Sequence, residues 1–279
     1  FYETPEAQQF MRSFNRKAMQ WLIPLERPFN AVESATLSDI YDAEVAYQDH
    51  LLSQIITAID SSYHRDHTMV IFLADHGEML GEHGYMGHGF GLHEELIRVP
   101  LFIRLPELEK VRRVEHRVSI TQLFYTVMDY FGFDTAPMPY AEEVDVACQS
   151  LLRMISQKDC GPSHLISEAY PPENAIRIMN NHYPELIKQF NAGHTHRAVY
   201  QRDEKMVAIE GITKILYNLA GDPDEAHPYQ DETRIRELAR ILDGYLDLAA
   251  SQQKGSSHRK ISLQDDLIQQ RLRDLGYLE

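Results

Sequence analysis

The spacing of apolar residues along the chain predicts helices first, then strands. From Pro5 to about Trp21, Phe10, Phe14 and Met19 recur at helical spacing, with Thr4 as N-cap and Pro5 in the first helical position. Pro24 and Pro28 end that run. A second helix is predicted from Ser38 or Asp39 through Asp60, on a stripe of Ile40, Val45, Leu51, Leu52, Ile55 and Ile56. Thr68 to Ala74 (TMVIFLA) is apolar throughout and rich in β-formers, the pattern of a strand buried on both faces of a parallel sheet. Val99 to Leu105 predicts another strand. Ile120 to Tyr130 predicts a helix stopped by Gly132, followed by a Pro-containing loop from Asp134 to Asp145.

The remainder changes character. Short β-like runs occur at His164 to Ser167, Arg197 to Gln201, Met206 to Glu210 and Lys214 to Leu219. Strands in series without intervening helices imply a small antiparallel sheet. A helix follows from about Asp231 to Ala250, then a linker from Ser251 to Ser257 (SQQKGSS) and a polar helix from Ser262 to Leu275. The division expected is therefore 1–158 for an α/β part, 159–250 for a small sheet-and-helix subdomain, and 251–279 for linker and terminal helix.

Composition narrows the partners. With 42 Asp plus Glu against 27 Lys plus Arg, the net charge is -15. So acidic a surface argues against nucleic acid and against anionic lipid, both of which need clustered cations. No stretch approaches the roughly 20 apolar residues of a membrane span. FYETPEAQQF has neither a basic nor an apolar leader segment, so no signal peptide is visible and the compartment stays open between cytoplasm and periplasm. Two cysteines, Cys148 and Cys160, are too few for a disulfide framework.

Residues 75–93 carry the candidate chemistry. Gly stands at 77, 81, 84, 87, 89 and 91, and His at 76, 83, 88 and 93. A Gly- and His-rich loop directly after a buried strand is where α/β proteins build sites. Asp75 at the strand end and His76 beside it would converge on one cation across a turn at Gly77. Carboxylate with imidazole suits Mn, Zn, or an accommodating Ca or Mg site. The plainer reading of the neighbours is structural. His83 would orient the loop, His93 and Glu94 would cap or pack the next helix, and Glu78 and Glu82 would be solvated. Arg98 would pair with nearby carboxylates, and His194 and His196 would sit on an exposed loop.

The ordered series Ala74-Asp75-His76-Gly77-Glu78, Gly81-Glu82-His83-Gly84, Gly87-His88-Gly89 and His93-Glu94-Glu95-Leu96-Ile97-Arg98-Val99-Pro100-Leu101 resembles the sulfatase family of the alkaline-phosphatase superfamily. Further pieces follow the family's order. These are Tyr41 to Tyr47 with Asp49, Val118-Ser119-Ile120 through Thr126 and Gly132, Ser150-Leu151-Leu152, Ser167-Glu168, and Leu216 to Leu219 with Asp222-Pro223-Asp224-Glu225. Gln122 and Tyr125 replace the Asp and Pro of the usual pattern. The resemblance implies an α/β fold: the second half of an alkaline-phosphatase-like mixed sheet flanked by helices, plus a small antiparallel C-terminal subdomain. It implies Asp75 and His76 as ligands of a divalent metal ion (Ca, Mg or Mn). It also implies His88 as the catalytic group contacting the sulfuryl or phosphoryl oxygens.

The family's nucleophile lies in C/S-x-P-x-R and becomes formylglycine in sulfatases. That motif is not encoded in the 74 residues before Asp75, and Cys160-Gly161-Pro162-Ser163-His164 lacks its Arg. The chain is thus expected to be the C-terminal half of a sulfatase-like protein, hydrolysing a small-molecule or glycan sulfate ester as part of a complete enzyme. The missing N-terminal half, or a second copy of the chain, would be its partner. A phosphodiesterase or phosphonate monoester hydrolase of the same superfamily and a non-catalytic fragment are the rival expectations.

Overall fold

The computed structural model describes residues 4–15, 22–108, 110–133, 149–156, 162–210 and 212–255. Cys148, Cys160, the 134–145 loop and the helix expected at 262–275 lie outside them.

Helix α1 (Pro5–Phe14) starts as its sequence dictates: the Thr4 hydroxyl accepts from Ala7 N at 3.2 Å, and Pro5 occupies the first turn. Helix α2 (Ala31–Asp60) begins seven residues or more before the expected start. Asn30 accepts from Val32 N and Glu33 N, and Glu33 Oε2 accepts from Asn30 N, closing a capping box. Arg27 then grips Glu33 through both guanidinium nitrogens at 2.7 and 2.6 Å. Phe14, Met11, Leu25, Leu37 and Met86 pack beneath these helices.

Strand β1 (Val70–Leu73) pairs antiparallel with β4 (Leu101–Arg104), Val70 opposite Arg104 and Leu73 opposite Leu101. A doubly buried parallel strand was the expectation. Among the described residues this ribbon has only two strands, and Phe72 and Phe102 are 38% and 65% exposed. The apolar run marks β1 as a strand but carries no information about its neighbour's direction. Between the two strands, β2 (Met79–Leu80) and β3 (Met86–Gly87) form a short hairpin, and α3 (Glu94–Ile97) leads into β4.

Helices α4 (Gln122–Tyr130) and α5 (Leu151–Ser156) are locked together by Thr126. Its hydroxyl, fully buried, donates to Gln122 O at 2.7 Å and accepts from Leu151 N at 3.0 Å. Gln122, in place of the Asp of the usual pattern, accepts from Ser119 N at 2.9 Å and so ties the preceding turn to the start of α4.

The second layer is a four-stranded antiparallel sheet in the order β5 (Leu165–Ala169), β6 (His196–Gln201), β7 (Glu204–Ile209), β8 (Thr213–Asn218). Two helices unpredicted by the sequence pattern, α6 (Glu173–His182) and α7 (Pro184–Phe190), lie between β5 and β6. Their polar faces and short lengths blur the apolar period. Helix α8 (Glu232–Gly255) covers one face through Leu238, Ala239 and Leu242, which meet Val199, Met206 and Leu216. It runs on to Gly255, so the expected linker at Ser251 is helix for its first five residues. Ala198, Tyr200, Tyr217 and Leu219 turn the other face toward Leu92 in the His-rich loop. That contact brings the sheet to the candidate site.

Candidate metal and ester-binding site

Gly77 fixes the turn after β1. A Cβ there would lie 1.8 Å from Glu95 O, while Gly77 N donates to Leu96 O at 2.8 Å. Asp75 and His76 are therefore held against the start of α3. Asp75 Oδ1 accepts from His76 N at 3.0 Å, and Oδ2 lies 3.8 Å from His76 Nε2. The two side chains face each other, and both line one open cleft of about 810 Å³.

His88 reaches the same place from β3. Its ring stacks on that of His76 with centroids 4.2 Å apart. A carboxylate accepts, so His88 Nδ1 donates to Glu78 Oε2 at 3.1 Å and leaves Nε2 for another partner. The hairpin register explains the pair: Met79 lies opposite Gly87, which sets Glu78 opposite His88. Glu78 is thus engaged rather than merely solvated, and its alternation with the hairpin strand is the signal that could have found it. The ligand atoms of His76, Glu78 and His88 all lie within 4.8 Å of one another. Two imidazoles and a carboxylate, with Asp75 alongside, are a donor set suited to a divalent cation.

The far wall of the cleft comes from the loop before α4 and from the sheet. Arg113, Arg117 and His116 approach from the loop, Tyr170 and Tyr200 from the β5 and β6 region. Arg117 bonds Glu94 Oε2 at 3.1 Å and sits over the Tyr200 ring. Arg98 is an exposed cleft residue with no ion pair among the described residues, contrary to the pairing expected of it.

Beneath the cleft lies a buried polar cluster that sequence reasoning missed. Lys205, fully buried on β7, donates to Leu92 O at 2.5 Å and meets Glu225 Oε1 at 2.8 Å and Glu94 Oε1 at 3.4 Å. Burial pushes the Glu225 carboxyl up, but hydrogen bonding from His93 and the Lys205 charge outweigh it and hold it below the usual range. Glu94, expected with His93 to cap or pack α3, is packed into this cluster. Its own backbone N–H donates to Glu225 Oε2 at 2.7 Å. A lone Lys in a β-run gives no sequence signal of such a role.

His83 stacks on His93 at 3.9 Å with nearly parallel rings, and its Nε2 lies 3.5 Å from Glu95 Oε1. The Glu95 hydrogen bond raises the His83 pKa above its ordinary value against the opposing effect of burial. His196, expected on an exposed loop, is buried on β6 with Nε2 3.3 Å from Asn191 O, and burial lowers its pKa. His194 is exposed, as expected.

The sulfatase family profile matches residues 3–133, the part that holds Asp75, His76 and His88. This stretch of the chain is similar to the sulfatase family. The chain is 26% identical over 209 residues to the uncharacterized sulfatase YidJ of Escherichia coli, an alignment covering 75% of the chain and 37% of that relative. The structure superimposes on the phosphonate monoester hydrolase of Agrobacterium radiobacter with a TM-score of 0.58 at 22% identity, over 80% of this chain and 43% of that one. A 2-O GAG sulfatase gives 0.59 at 17% identity, over 85% and 49%. These likenesses show the alkaline-phosphatase-like α/β fold. The chain spans less than half the length of each of the three.

Proposed function

We propose that this chain supplies part of the site of a metal-dependent sulfate-ester hydrolase. One observation carries the reading. Asp75, His76 and His88, named by the family's motif order, meet at one cleft mouth although eleven residues, a hairpin among them, separate His76 from His88.

In this reading Asp75 and His76 hold a divalent ion, which supplies charge stabilisation at the ester oxygens and orients the attacking group. Glu78 fixes the His88 ring through Nδ1, so that Nε2 presents to an ester oxygen. A donor aimed where charge develops stabilises it without reorganisation. Arg113 and His116 on the opposite wall offer further cationic or donor groups to an anionic substrate. The formylglycine motif C/S-x-P-x-R does not occur in these 279 residues, so the attacking group comes from outside them. The substrate is an organic sulfate ester, and the GAG sulfatase likeness supports a sulfated glycan as its class.

Parallel assays on the full-length protein with 4-nitrophenyl sulfate and phenylphosphonate esters test the reading. Sulfate-ester turnover abolished by Asp75→Ala supports it. Turnover of phosphonate esters alone favours the rival suggested by the Agrobacterium likeness. Sulfatase activity unchanged in Asp75→Ala contradicts the site.

A further inference from the structure

We infer that His83, His93 and Glu95 form a second metal site, of zinc-class preference, separate from the cleft. None of the three lines the cleft. His83 stands in the tight turn Glu82–Gly84 with φ +54°, His93 immediately precedes α3, and Glu95 lies in its first turn. The turn is wedged in place, because a Cβ on Gly84 would meet the Phe190 ring at 2.9 Å.

Four observations point to a cation. Each residue offers one ligand atom, and these atoms lie within 4.8 Å of one another. The side chains are only 21%, 19% and 26% exposed, a partly dry setting in which coordination competes well with water. One of their polar atoms, Glu95 Oε2, is buried without a hydrogen-bond partner among the described residues. Such atoms are costly to leave unsatisfied. Finally, His93 Nδ1 lies 3.5 Å from the buried carboxylate of Glu225, the carboxylate–imidazole arrangement that supports a metal-bound histidine from behind.

The two imidazoles are borderline donors and the one carboxylate is a hard donor, so imidazole predominates in the set. They suit zinc and its neighbours in the first transition row better than calcium or magnesium, and they leave a fourth position for water. The bound ion would staple the His83 turn to the start of α3. It would thereby pin the tip of the hairpin that carries Glu78 and His88. The inference stands whether or not the cleft binds a metal.

Zinc binding to the chelator-stripped protein, followed by equilibrium dialysis and by the visible spectrum of the cobalt-substituted form, tests it. The triple variant Asp75→Ala/His76→Ala/His88→Ala disables the cleft and isolates the second site. The expected result is on the order of one zinc ion per chain in that variant, with a cobalt d–d spectrum of low coordination number. Adding His83→Asn or Glu95→Gln should weaken binding by about 100-fold or more, beyond what loss of a merely supporting group costs. Asn tolerates positive φ and Gln is isosteric with Glu, so both changes spare the fold, which circular dichroism checks. Zinc absent from the triple variant, or retained undiminished after His83→Asn and Glu95→Gln, overturns the inference.

Discussion

Glu168 shows how a residue in this fold combines stability with a place beside the cleft. Burial pushes its carboxyl up, but hydrogen bonds from Arg197, Tyr245 and Tyr170 outweigh that and hold it below the usual range. A depressed carboxyl stabilises the fold above the unfolded pKa of about 4.3, and that stability is lost as pH falls through the folded value. Glu168→Gln should therefore cost about 1–3 kcal/mol near pH 7, the worth of charge-assisted bonds. The gap to the parent should close below about pH 4, and urea titrations at a series of pH values would read it. His88 gives the corresponding prediction for chemistry. If its Nε2 meets developing charge, His88→Ala should lower kcat by about 100-fold with a smaller change in KM. Glu78→Gln, which keeps the ring in place by a neutral bond, should fall between that variant and the parent in steady-state assays.

At this scale the sequence was informative where a motif is local. Asp75 and His76 were legible because glycines and histidines crowd one stretch after a strand, His88 was singled out by the family resemblance, and the structure brings all three to one cleft. Lys205 and Glu225 were not legible as a pair. They meet across 20 residues, from a strand and a turn, and only the folded sheet sets them 2.8 Å apart.

Elements were readable according to how local their determinants are. Helix α1 follows from Thr4-Pro5 alone. Helix α2 starts earlier than its apolar stripe because Asn30 and Glu33 form a capping box, a polar signal that the hydrophobic period does not contain. Asn30→Ala should destabilise the protein by about 1 kcal/mol, seen as a lower urea midpoint at unchanged slope. The direction of β1 could not be read. An apolar strand fits either a parallel or an antiparallel neighbour, and its pairing with β4 depends on the 27 residues between Leu73 and Leu101 folding into a hairpin and a helical turn. Helices α6 and α7 were lost because short amphipathic segments separated by Tyr183-Pro184 look like loop.

The molecule as a whole is two layers joined at the His-rich loop. The α1–α4 layer carries the motif residues, and the β5–β8 sheet with α8 forms a core of its own. Lys205 is a polar tie between them, reaching from β7 to Leu92 O and to the carboxylates of Glu94 and Glu225. Lys205→Ala would leave Glu225 buried without its cation and Glu94 with Arg117 alone, a loss of about 3–5 kcal/mol. It should also loosen the loop between His88 and α3, so amide exchange there should accelerate even under conditions where the variant remains folded. Amide exchange in α8 and β8 tests the same variant for a global effect.

The cleft would be tested most directly by diffraction from crystals soaked in manganese, with anomalous maps recorded at the manganese edge. A peak within bonding distance of an Asp75 carboxylate oxygen and a His76 ring nitrogen, with His88 beside it, is the predicted result. No peak at that pair in crystals that take up manganese elsewhere, or the two side chains turned away from each other, would contradict it.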